Sequence, residues 1–293
     1  SSSIKLVSVC VDTRSLSCWV CVVLNMAARD VLVSASAPGQ ETMGGGAFEV
    51  WVPAAPPADA PFKIIGSEFS QVLEVDVAPG MTVTAEPGTM VFMGDRLELD
   101  ADVGGFGQGC MRCCCAGESF FRMHMANKTS STQRVGISPL FPARVVPVDL
   151  AQHSGMIVNR GAFLAAIGVD WRVDLKSVGS MGACCFGGQG LFMNTLHGNG
   201  TAFLNAGGTV MQKVLQAGET IVVDQHSVLA FEKTVELGVR RTGGCFVCCC
   251  AGQGLFNATL TGPGFVMVHT MGLQKLKRAI GATQGKQGGN TAT

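Results

Sequence analysis

The sequence predicts an all-β fold built from three repeated units, and three observations predict it. Glycine is abundant at 39 of 293 residues, charged residues make up only 14%, and tyrosine is absent. That mixture suits many short strands joined by tight turns, with little solvated helix. Apolar and polar residues alternate over short stretches that end at Pro-Gly or Gly turns. A block centred on Gly-Gln-Gly-Leu-Phe returns along the chain, the mark of a repeat architecture.

Residues 1–61 show no sustained period and end in the proline-rich run Pro53 to Pro61, which reads as a mostly disordered extension and linker. Its most apolar stretch, Ser17 to Ala28, is too short to cross a bilayer and contains Asn25. As a targeting segment it has Lys5 and Arg14 upstream, but Asp12 interrupts the basic region and no small-residue cleavage site follows. Met26 is a second candidate start. From Phe62 the pattern changes. Leu73, Val75 and Val77 alternate with Glu74 and Asp76 before Pro79-Gly80, a half-buried strand and its turn. Leu97, Leu99 and Ala101 alternate with Arg96, Glu98 and Asp100 in the same way, and strands are expected to about Met271.

The repeat sets the boundaries. Residues 184–200 return 64 positions later as 248–264 with 11 of 17 identical, and Cys113 to Phe121 forms a third copy 71 positions before the middle one. Ahead of each block, Val75 to Gly80 resembles Val148 to Gly155 and Val214 to Gly218. Three units follow: 62–138, 139–208 and 209–272. Turns are expected at Gly80, Gly155 and Gly218, and hairpins at His197–Gly200 and Thr261–Gly264. One unit alone leaves an apolar face bare. Three in a pseudo-threefold arrangement bury those faces and close sheet edges. The tail, 273–293, carries Lys275, Lys277 and Arg278, and predicts a short basic helix that frays from Gly281.

Charge excludes one class of partner. The 21 basic and 21 acidic residues cancel, so no overall field draws a polyanion, and no nucleic-acid partner is expected. Thirteen cysteines, mostly in adjacent runs, make a poor disulfide framework and favour a reducing compartment. Cys110-x-x-Cys113-Cys114-Cys115 and Cys245-x-x-Cys248-Cys249-Cys250 have spacings that suit a shared zinc ion, redox chemistry or acylation. The simpler reading is that cysteine fills small apolar positions in a duplicated corner. His124, His153, His197, His226 and His269 are scattered without a His-x-His pair. Asp224 and His226 share a strand face without forming an acid–base pair. Gly-x-Ser-x-Gly is absent, Gly281 to Lys286 is one residue short of a Walker string, and Gly104 to Gly109 reads as a turn. No catalytic, cofactor-binding or metal-binding residue is assigned, and no enzyme activity, cofactor or small-molecule substrate is expected.

The order of Phe62-Lys-Ile-Ile-Gly-Ser67, Ala85-Glu-Pro-Gly-Thr-Met-Val91, Gly117-Glu-Ser-Phe-Phe121, Gly188-Gln-Gly-Leu-Phe192, Val222-Val-Asp-Gln-His226 with Leu229-Ala-Phe231, and Gly252-Gln-Gly-Leu-Phe256 with Gly262-Pro-Gly264 resembles the Altered Inheritance of Mitochondria protein 24 family. The likeness runs from about 62 to 272; residues 1–61 lie outside it and the cysteine runs depart from it. It implies units like those of the trp RNA-binding attenuation protein (TRAP-like), related to the double-stranded β-helix, in chains able to form rings. It also implies a mitochondrial location, where a cytoplasmic one is expected otherwise, and a role in inner-membrane organisation or respiratory assembly without a known reaction. The expectation is a homo-oligomeric, non-enzymatic scaffold that binds other proteins of a membrane-associated complex. The alternatives are a cysteine-ligated metal or redox-responsive protein and an RNA-binding ring. A ring that binds RNA needs a cation at the same place in every unit. The three units hold 14 basic and 16 acidic residues, and Arg122 is matched by Met193 and Asn257.

Overall fold

Alternation decides the local structure and turn glycines punctuate it. The computed structural model describes residues 46–102, 122–159, 161–177, 192–241 and 256–287. The first strands are β1 (Glu49–Val50), β2 (Phe62–Ser67), β3 (Ser70–Val77), β4 (Thr82–Ala85), β5 (Met90–Met93), β6 (Glu98–Asp102), β7 (Arg122–Ala126) and β8 (Gln133–Ile137). Then come β9 (Arg144–Asp149), a 3-10 turn at Leu150–Gln152, β10 (Met156–Val158), β11 (Phe163–Ser177) and β12 (Phe192–Ala206). The last are β13 (Val210–Leu215), β14 (Thr220–Val223), β15 (Val228–Glu232), β16 (Glu236–Arg241), β17 (Phe256–Thr261), β18 (Gly264–His269) and one helix, α1 (Leu273–Gln287). The fold of the described residues is all-β with this single helix. Leu73, Val75 and Val77 of β3 are buried, as their alternation requires. Gly80, Gly155 and Gly218 all take positive φ, 79°, 140° and 78°, which a side chain would resist.

Three sheets result, and every strand pairing among the described residues is antiparallel. The longest runs β1-β13-β18-β15-β10-β12-β11-β4-β7-β6, with β9 also on β12; the others are β14-β17-β16 and β2-β3-β8-β5. Between 70 and 137, β8 lies between β3 and β5, while β7 lies between β4 and β6. Between 210 and 269, β18 lies between β13 and β15, while β17 lies between β14 and β16. In the middle of the chain two long strands lie side by side in the longest sheet, and β12 runs unbroken through His197–Gly200, where a hairpin is expected from the sequence. The end of β12 pairs with β9 and the start of β11, and its beginning pairs with β10 and the end of β11. The register of β11 shifts between Ile167 and Asp170.

Apolar residues from facing strands fill three clusters. The first joins Leu73, Val75, Met125 and Ile137 to Phe203; the second holds Met156, Phe163, Leu196 and Leu204; the third holds Leu215, Phe231, Leu260 and Val266. Each such side chain contributes roughly 1.5–3 kcal/mol relative to exposure.

Two ends differ from expectation. Within the predicted linker, Glu49 and Val50 pair with Gln212 and Met211, and Trp51 donates its N–H to Val210 O at 2.9 Å while its ring packs on the second cluster. Burying an indole outweighs the irregular, proline-rich sequence around it. The helix α1 continues past Gly281 to Gln287 instead of fraying there. No helix among the described residues is long and apolar enough to cross a membrane. The cysteine runs 110–115 and 245–250, the glycine cluster 104–109 and the Gly-Gln-Gly segments lie outside the described residues.

Candidate functional site

Each histidine sits in a different local setting. On β7, His124 Nδ1 lies 2.9 Å from Thr84 Oγ1 and its Nε2 3.1 Å from Asp102. His153 Nδ1 is 2.7 Å from Glu232 Oε1, and its ring stacks on Phe265 at 5.6 Å. His197 Nε2 lies 3.5 Å from Asp174. Among the described residues no three His, Cys, Asp or Glu side chains gather as a metal site.

A charged polar corner joins β14, β18 and α1. Asp224 accepts the backbone N–H of His226 at 3.0 Å and pairs with Lys275 Nζ at 3.0 Å. Its carboxylate holds the main chain of the Gln225–Ser227 turn, and the His226 imidazole instead meets Gln225 Nε2 at 3.2 Å. Lys275 also donates to Ser227 Oγ, and Ser227 O accepts from His269 N at 2.8 Å. Burial raises the Asp224 pKa, but the His226 amide and the Lys275 ammonium outweigh it and leave the carboxyl below its ordinary range. His269 is 4% exposed, and burial pulls its pKa down to about 4 against the lift from its bond to the His226 backbone. A Cβ on Gly272 would come within 2.7 Å of His269 Nε2, so only glycine fits between the corner and the helix. This corner fastens α1 to the sheets: its charges and amides are engaged in a turn and a helix start.

The sheet edges differ more sharply. Among the described residues two strand-to-strand seams join the segments 70–137, 144–206 and 210–269. At the first, β4 meets β11 with Ala85 opposite Ala165 and Val83 opposite Ile167. At the second, β10 meets β15 with Val158 opposite Ala230 and Met156 opposite Glu232. The apolar residues of both seams are buried. The end strands β5 and β14 have the corresponding places in their sheets, yet among the described residues nothing pairs with their outer edges. Val91 is 57% exposed, Phe92 41% and Val222 45%. Sequence reasoning singles out neither strand as a surface. The signal that finds them is absence of charge: Met-Val-Phe-Met and Thr-Ile-Val-Val carry none, whereas the other four sheet ends among the described residues hold Glu49, Lys63, Asp100 or Arg240.

Comparison with known proteins places this architecture. A crystal structure of a Streptococcus pyogenes protein, SPYM3_0169, superimposes with a TM-score of 0.60 at 25% identity, covering 76% of this chain and 98% of that one. An uncharacterized protein of Streptococcus pyogenes serotype M6 is 26% identical over 223 residues, 73% of this chain and 87% of its own length. Residues 62–271 match the family described as mitochondrial biogenesis AIM24, and the chain belongs to that family.

Proposed function

We propose that this chain is a non-enzymatic assembly protein of mitochondrial biogenesis, built from three copies of one β unit, that acts through the surface those units jointly present. The observation that carries the reading is the pair of charge-free, apolar strand edges at β5 and β14. Exposed apolar edges invite association, and soluble chains ordinarily blunt them with charge, as the other four sheet ends here are blunted. The three-unit reading is supported by the recurrent pairing of six successive strand segments. A register shift also falls at Met90/Phe92, Phe163/Ala165 and Val228/Ala230, in the matching strand each time. The family's description supports the mitochondrial role, while the relatives named above are bacterial.

Proximity labelling in cells, from chains beginning at residue 1 and at Met26, tests this. Neighbours drawn from an inner-membrane or respiratory complex are expected. Labelling confined to cytosolic proteins overturns the location, and zinc or iron bound to the purified protein in whole-number ratio overturns the reading in favour of a cysteine-ligated metal protein.

A further inference from the structure

We infer that the open edges of β5 and β14 are two halves of one seam, and that a second copy of this chain completes it head to tail. The inference rests on the assembly reading above and names the partner, the strands and the register.

The chain already contains the joint twice. Strands β4, β10 and β14 are equivalent, because Ala85, Val158 and Val223 pair inwardly with Met123, Asn194 and Ala258. Those partners lie 71 and 64 positions apart, the spacing of the sequence blocks. Strands β5, the start of β11, and β15 are equivalent through their shared register shift, which makes Phe92, Ala165 and Ala230 counterparts. At the first seam Ala85 faces Ala165, and at the second Val158 faces Ala230. The same geometry leaves Val223 to face Phe92 and Val222 to face Met93. Both strands that would form this third joint are present, and among the described residues neither outer edge is used.

Burial agrees. Val83 and Ala85 on β4, Met156 and Val158 on β10, Ala165 on β11 and Phe231 on β15 are each 0% exposed, whereas Val91 is 57% and Val222 45% exposed. The two edges are different surfaces, so the contact between copies is heterologous. Such a contact propagates until a ring closes or a filament grows. Another protein's strand could occupy either edge, but a copy of this chain satisfies both with a pairing that the fold already makes twice.

Single substitutions at each edge test the seam in the full chain. Phe92 occupies space that a Cβ on Gly136 would enter, so replacing it disturbs the fold; Val91→Lys and Val222→Lys act from the exposed side. Wild type is expected to run in light scattering at a multiple of the 30.5 kDa chain mass, and each variant at one chain mass. Mixing the two variants is the sharper arm. V91K keeps an intact β14 and V222K an intact β5, so the mixture is expected to give a two-chain species and nothing larger. Circular dichroism confirms that each variant is folded, and Met90→Lys with Thr220→Lys repeats the test should either fail to fold. A wild type that stays at one chain mass, an oligomer that neither substitution changes, or folded variants that do not pair overturns the inference. A head-to-tail oligomer with no mitochondrial neighbours sinks the assembly function and leaves the seam standing. Mitochondrial neighbours around a monomer do the reverse.

Discussion

The two seams inside the chain are both short antiparallel pairings but are held by different side chains. At the first, Glu86 N donates to Leu164 O at 2.9 Å, and the Arg122 guanidinium sits 4.5 Å above the Phe163 ring and 3.8 Å from Glu86. At the second, Asn159 N donates to Leu229 O at 3.0 Å, and Met193 occupies the place of Arg122 within the third apolar cluster beside Phe231. Polar support there comes from the rim: His153 on Glu232, and the Asn159 amide on Gln225 O and Val228 O. The backbone ladder sets which strands meet. Side chains only decide how the joint is sealed, so one joint can be sealed by a buried cation and the next by a thioether.

Acid is expected to strain the second seam's flank most. Asn159 ties that seam to the turn that holds His269, whose pKa lies near 4 against an ordinary 6.5. A base whose folded pKa is depressed stays neutral in the fold while the unfolded chain takes up a proton. Stability is therefore unaffected above about pH 6.5, falls as pH drops towards 4, and levels off below, by about 3 kcal/mol in all. His269→Gln removes the titration. Urea unfolding at pH 7 and pH 4.5 is expected to show wild type losing more stability than the variant across that window. Equal losses break the assignment.

The first seam offers the next largest effect. Arg122→Ala strips the cation from Phe163 and Glu86 and leaves a void, at about 2 kcal/mol, whereas Arg122→Met copies the second seam and is expected within about 1 kcal/mol of wild type. Thermal unfolding separates them. Equal losses for both variants would mean that the charge itself, rather than the volume, seals the joint.

Legibility follows the physics. β3 is readable because Leu73, Val75 and Val77 alternate with acids, and the turns at Gly80 and Gly218 are readable because positive φ demands glycine. The seams are not, since hydrogen bonds between distant segments leave no local period. Met-Val-Phe-Met at 90–93 and Val-Leu-Ala-Phe at 228–231 are equally apolar, yet one is an open edge and the other is buried. Composition reports that a strand wants cover and is silent on whether the chain supplies it. Arg122 misleads in the opposite sense: a guanidinium reads as surface, but its central carbon sits over an aromatic ring at only 4% exposure. Trp51 is hidden by the prolines after it. Asp224 and His226 read from sequence as alternate residues of one strand face; they lie instead in a turn where the carboxylate accepts the His226 backbone N–H, and such a turn has no signature that alternation could reveal.

The rim of the second seam yields the smaller effects. Asn159→Ala removes donors to Val228 O at 2.7 Å and Gln225 O at 3.2 Å, and is expected to cost about 1.5 kcal/mol. Glu232→Gln costs less, about 1 kcal/mol, because an amide oxygen can still accept from Phe265 N and only the charge facing His153 is lost. The comparison is sharpest in combination. Asn159 and Glu232 flank one seam while Arg122 serves the other, so Arg122→Ala with Glu232→Gln is expected to be additive, and Asn159→Ala with Glu232→Gln less than additive. Coupling between Arg122 and Glu232 instead would mean that the two joints yield as one, and the middle segment, which contributes a strand to each, would be the element that transmits the failure.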